Sequence, residues 1–137
     1  MKRNLWILAL FFIMSSFSPK LVAQENLNAL VRKCETMTSV CMNFIREKNS
    51  QTKRIETKMI NISIKDNQVL INDFLVAFKK DEENALSIVE NKQGEEMVSL
   101  FYKFENVTYT FSFSEKNSTC TNEEKEKGGC ASVNVLY

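Results

Sequence analysis

The sequence predicts an α+β domain of two layers, with two helices against a mostly antiparallel sheet of about six strands, in the order αββαββββ. Three observations carry that expectation. Apolar residues recur at helical spacing in two short stretches, and they alternate with polar residues in the remaining ones. The last four alternating stretches follow one another with no helical stretch between them, which points to antiparallel pairing.

Leu27, Leu30, Val31 and Cys34 stand at i, i+3, i+4 and i+7, one face of a helix, with Asn26 placed to cap it. From Val40 the period changes to two, with Val40, Met42 and Phe44 on one side and Cys41, Asn43 and Ile45 on the other. A polar stretch, 48–53, separates this strand from a second, in which Ile60, Ile62 and Ile64 alternate with Asn61 and Ser63; the two are expected to pair. Asp66 or Asn67 can cap a second helix that buries Leu70, Phe74, Ala77 and Phe78, flanked by Ile71 and Leu75. Lys79 and Lys80 fall in its last turn, where cations suit the helix dipole. Asp81, Glu82 and Glu83 read as a solvated helix end rather than a carboxylate site.

Leu86 to Glu90 is the next strand. Met97 to Glu105 is apolar on both sides through Leu100, Phe101, Tyr102 and Phe104, which predicts a central place in the sheet. Val107, Tyr109, Phe111 and Phe113 alternate with Thr108, Thr110, Ser112 and Ser114, and aromatics at this period read as sheet core rather than a carbohydrate platform. Glu105 and Asn106 form a tight hairpin, and Val133 and Val135 close the sheet as its C-terminal strand.

The first 23 residues have another character. Lys2 and Arg3 precede an apolar run from Leu5 to Met14, followed by Ser15, Ser16, Ser18 and Pro19, with Ala23 before Gln24. This is the pattern of a secretion signal cut after Ala23, leaving residues 24–137 as a single domain. The apolar run is shorter than the roughly 18 residues that a membrane span needs, so no transmembrane segment is expected after cleavage. The expected location is the periplasm, the cell surface or the medium.

Charge and composition exclude several functions. The chain has 18 basic and 17 acidic residues, and loss of Lys2, Arg3 and Lys20 with the signal leaves 15 against 17. With both signs interspersed, nothing favours nucleic acid or an anionic membrane as partner. There is no histidine, which removes Ser-His-Asp and Cys-His nucleophiles and the HExxH zinc site. No EF-hand spacing or phosphate-binding glycine motif occurs, and the chain has only three glycines for such a loop. No catalytic residue, metal site or cofactor is expected, and the chain is read as a non-enzyme. Asn61-Ile-Ser63, Asn106-Val-Thr108 and Asn117-Ser-Thr119 match the N-glycosylation acceptor pattern at a frequency that chance supplies.

Four cysteines in an exported chain permit three pairings. Cys120 and Cys130 bracket the charged loop Thr121 to Gly129, and a bridge there closes about eleven residues, worth roughly 2.5–3 kcal/mol in unfolded-state entropy. The second expected bridge joins Cys34, at the end of the first helix, to Cys41 in the next strand; two buried thiols are the other reading. Neither pair has the spacing of a redox Cys-x-x-Cys or a zinc knuckle.

The runs Leu30-Val31-Arg32-Lys33-Cys34-Glu35-Thr36-Met37, Met42-Asn43-Phe44-Ile45-Arg46, Phe78-Lys79-Lys80-Asp81-Glu82-Glu83 and Phe101-Tyr102-Lys103-Phe104 resemble a group of small secreted proteins of Bacteroidetes bacteria, domains of unknown function. The Ala23-Gln24 junction is similar to the one such bacteria use. The resemblance implies a cell-envelope protein with no catalytic residue to carry over. The function expected is a module that binds an envelope or extracellular protein or another envelope component. Its contact surfaces would be the loop bearing Glu123, Glu124, Lys125, Glu126 and Lys127, and the exposed edge of a terminal strand. The alternative is a secreted inhibitor or immunity-type protein that presents the disulfide-held loop.

Overall fold

A computed structural model of the chain describes residues 24–94, 96–115 and 129–137. The elements are α1 (Glu25–Glu35), β1 (Val40–Lys48), β2 (Ile55–Lys65), α2 (Gln68–Asp81), a 3-10 turn (Glu82–Asn84), β3 (Ser87–Gln93), β4 (Met97–Lys103), β5 (Thr108–Ser114) and β6 (Cys130–Leu136). This is the predicted αββαββββ order. The six strands form one antiparallel sheet in the order β1-β2-β6-β5-β4-β3.

Alternation decides which side chains enter the core. Ile60, Ile62 and Ile64 of β2, Ala131, Val133 and Val135 of β6, Tyr109 and Phe111 of β5, and Leu100 and Tyr102 of β4 are buried on one sheet face. They pack with Leu27, Val31 and Cys34 of α1 and Leu70, Ile71, Phe74, Ala77 and Phe78 of α2. The α2 face is the one the sequence predicts, and its N-cap is Asn67, whose side chain accepts the Leu70 N–H at 3.0 Å. Phe78 sits edge-on to Tyr102, Tyr109 and Phe111, which sets α2 over β4 and β5. The α1 helix lies toward β1, with Cys34 and Met37 beside Val40 and Met42.

Strand order departs from expectation in two places. β6 does not close the sheet from an edge; it inserts between β2 and β5 and joins the two halves. Its three buried residues, Ala131, Val133 and Val135, fit this central place. β4 is flanked by β3 and β5 but is next to the edge. Its apolar run lies on both sides because Phe101 and Met97 face away from the helices and remain 38% and 47% exposed.

The β4–β5 hairpin turns at Glu105 and Asn106 as predicted, with the Phe104 N–H donating to the Val107 carbonyl at 2.8 Å. Where β6 begins, a Cβ built on Gly129 would lie 2.2 Å from Phe113 Cε2 and 3.2 Å from the Ser114 carbonyl oxygen. Gly129→Ala is therefore expected to cost about 1–3 kcal/mol through overpacking. An unchanged urea midpoint would show instead that the half-buried Phe113 ring swings aside.

The start of α1 corrects two expectations. Asn26 is not the N-cap: the helix begins two residues earlier, after Gln24, whose side chain makes no capping hydrogen bond. The cap comes from the far end of α2. Asp81, expected in solvent, is only 2% exposed. Its Oδ2 accepts the Leu27 N–H at 2.8 Å, and its Oδ1 accepts the Asn26 side-chain amide at 2.6 Å and the Asn26 N–H at 3.3 Å. A carboxylate at the positive end of a helix dipole, receiving otherwise orphaned N–H groups, is a favourable placement. It ties the two helices together at one end, while Lys33 and Asp73 pair across them at 3.5 Å.

Candidate binding cleft

Six strands about 4.8 Å apart span roughly 24 Å, whereas two helices about 10 Å wide cover roughly 20 Å of that face. The shortfall appears on the β3 side, where all seven residues of β3 are exposed. Between α2 and the inner faces of β3, β4 and β5 lies a cleft of about 600 Å³. Its apolar lining is Leu75 and Phe78 from α2, Val98, Leu100 and Tyr102 from β4, and Phe113 from β5. Gln68, Asn72 and Lys79 of α2 stand on one side, with Glu90 and Lys92 of β3 on the other and Glu115 past the end of β5.

Three charges of the rim, Lys79, Glu90 and Lys92, already have partners within the chain. The Tyr102 hydroxyl donates to Glu90 Oε1 at 2.8 Å, and Lys92 Nζ lies 3.7 Å from Glu90 Oε2. Lys79 pairs with Glu82 one turn on, which raises the lysine pKa. Desolvation, followed by the hydrogen bond to Glu90, pushes the Tyr102 phenol well above its ordinary range. The tyrosine thus serves as a neutral donor that positions Glu90. Tyr109, deeper in the core, is also raised, chiefly by burial, and its hydroxyl donates to Asn28 Oδ1 of α1. Both phenols stay protonated; Tyr109 bonds the sheet to α1, and Tyr102 bonds β4 to the neighbouring strand β3.

Of the residues singled out from sequence, Glu123, Glu124, Lys125, Glu126, Lys127 and Cys120 lie outside the described residues, as does the whole signal segment 1–23. Cys34 and Cys41 are both free thiols, so the expected bridge between them does not form. Strand parity is the reason. Cys34 is buried under α1, whereas Cys41 pairs in register with Ser63 on the sheet face that carries no helix. Burial raises the Cys34 thiol pKa, so it packs as a neutral apolar group. Cys130 is not among the free thiols.

The terminal-strand surface also moves. β6 is central, so among the described residues the free edges belong to β1 and β3. β1 carries Arg46, Glu47 and Lys48 and a register irregularity after Ile45, features that discourage strand addition. Among the described residues no three His, Cys, Asp or Glu side chains gather as metal ligands, and no helix is long and apolar enough to cross a membrane.

The cleft gave no sequence signal of its own, because its walls come from four elements that helical or strand periodicity marks only as core. The profile of a family described as Domain of unknown function (DUF5024) matches residues 24–128. No curated protein and no solved structure matches the chain.

Proposed function

We propose, for a chain that belongs to the DUF5024 family of domains of unknown function, an exported, non-enzymatic binding module of the cell envelope whose cleft takes up an apolar segment of a protein partner. One observation carries this reading: a cleft of about 600 Å³ with an apolar floor and a polar rim, left where the two helices fail to cover the sheet. That size lies within the range of roughly 300–1,000 Å³ common for ligand sites. The rim supports binding rather than catalysis, since Glu90 and Lys79 are held in hydrogen bonds and ion pairs. Export is supported by the secretion pattern of residues 1–23 and the resemblance to secreted Bacteroidetes proteins. The Cys120–Cys130 bridge belongs to the same proposal, supported by the place of Cys130 outside the free thiols.

A photo-crosslinking residue placed at Asn72, an exposed position lining the cleft, is expected to capture a protein in intact envelopes, while the same residue at Lys48 on β1 captures none. Leu75→Glu, which puts a charge on the α2 wall of the cleft, should lower the Asn72 product about tenfold or more. Equal capture at Lys48, or crosslinks only to glycan or lipid, would overturn the assignment of the cleft to a protein segment.

A further inference from the structure

We infer that β3 is the interface for a second copy of this chain, paired antiparallel across a two-fold axis at Asn91 to extend the sheet. Among the described residues β3 is a free edge, with all seven of its residues exposed, including Ile88 and Val89, 38% and 58% exposed. Alternation places Ile88, Glu90 and Lys92 on the helix side and Val89, Asn91 and Gln93 on the other. Charges pointing toward the covered side of an edge strand ordinarily discourage pairing, because an added strand buries them without partners.

These two charges make one exception. In the antiparallel register that sets Asn91 opposite its own copy, Glu90 faces Lys92 of the second copy and Lys92 faces Glu90. Val89 then meets Gln93, and Ile88 meets Gly94. Shifting the two-fold axis to Glu90 or to Lys92 puts like charges face to face, so charge selects the register as well as the partner. Glu90 is already held in place by the Tyr102 hydroxyl at 2.8 Å, which reduces the ordering that pairing requires.

The pairing also completes the cleft. Each cleft is walled by α2 on one side and lies open past β3 on the other. In the dimer the two clefts merge into one trough floored by β4, β3 and their two copies, with an α2 helix along each bank. The second copy contributes Glu90 and Lys92 to the floor. The inference stands whether or not a ligand occupies the cleft, and its test uses the protein alone.

Sedimentation equilibrium is expected to show a dimer at about 100 µM. Glu90→Lys and Lys92→Glu should each weaken self-association at least tenfold, because each variant sets like charges opposite one another twice. Mixed in equal amounts, these two variants should form a heterodimer, since both facing pairs then have opposite sign. Circular dichroism on each variant confirms folding, and recovery of the dimer in the mixture shows it directly. A monomeric wild-type protein, single variants that dimerise as the wild type does, or a mixture that stays monomeric would each overturn the proposal.

Discussion

Asp81→Ala is expected to lower the unfolding free energy by about 3 kcal/mol, read as a shift of the guanidinium midpoint at constant slope. The carboxylate receives three hydrogen bonds at the start of α1 while only 2% exposed. Removing it leaves the Leu27 N–H and the Asn26 amide without their acceptor. Charge-assisted hydrogen bonds of this kind are individually worth about 1.5–3 kcal/mol, and water entering the gap returns part of the loss. An 11-residue helix has little stability of its own, so loss of the cap should appear first as fraying of α1. Asp81→Asn keeps the shape and one acceptor oxygen and should cost less, about 1–2 kcal/mol. A loss below about 0.5 kcal/mol for the alanine variant would mean that solvent replaces the cap.

Phe78→Ala should cost more, about 3–5 kcal/mol, the usual range for truncating a fully buried aromatic. Its ring meets Tyr102 at 5.0 Å, Phe111 at 5.9 Å and Tyr109 at 6.5 Å between centroids, all edge-on. It is also the contact through which α2 sits on β4 and β5. Phe78→Leu keeps most of the volume and should cost roughly 1–1.5 kcal/mol, separating the ring geometry from bulk burial. The ring lines the cleft from below, so a dye that reports apolar cavities should bind the alanine variant more strongly than the wild type. If the alanine variant unfolds at the wild-type midpoint, the aromatic cluster is not what holds the layers together.

The elements were legible because each is written in one local period. The 3.6-residue stripe of α2 and the alternation of β2 and β5 depend only on neighbours in the chain, and those assignments match the structure. Strand order is a different kind of information. Whether Val133 and Val135 sit at an edge or in the middle depends on which strands have unsatisfied edges, and no local pattern records that. Asp81 was more legible than the reading of it as solvated allowed. Leu70, Phe74, Ala77 and Phe78 place the next buried position of the stripe at residue 81, so the carboxylate was inside by periodicity. The cysteine parity was equally available, since alternation from Val40 puts Cys41 on the side opposite Met42. The cleft was not legible. It exists because of how far two helices reach across six strands, a sum over the whole fold.

The central place of β6 also has a consequence for how the domain assembles. The β1–β2 and β3–β4–β5 groups can each form from neighbouring segments, but no strand pairing joins them until β6 bonds to both β2 and β5. During vectorial synthesis, the last strand in chain order is the first able to close the sheet. Until it arrives, the nascent chain holds two half-sheets whose open edges carry Ile60, Ile62 and Ile64 on one and Tyr109 and Phe111 on the other. Those edges are where a chaperone, or another nascent copy, would find the chain most receptive.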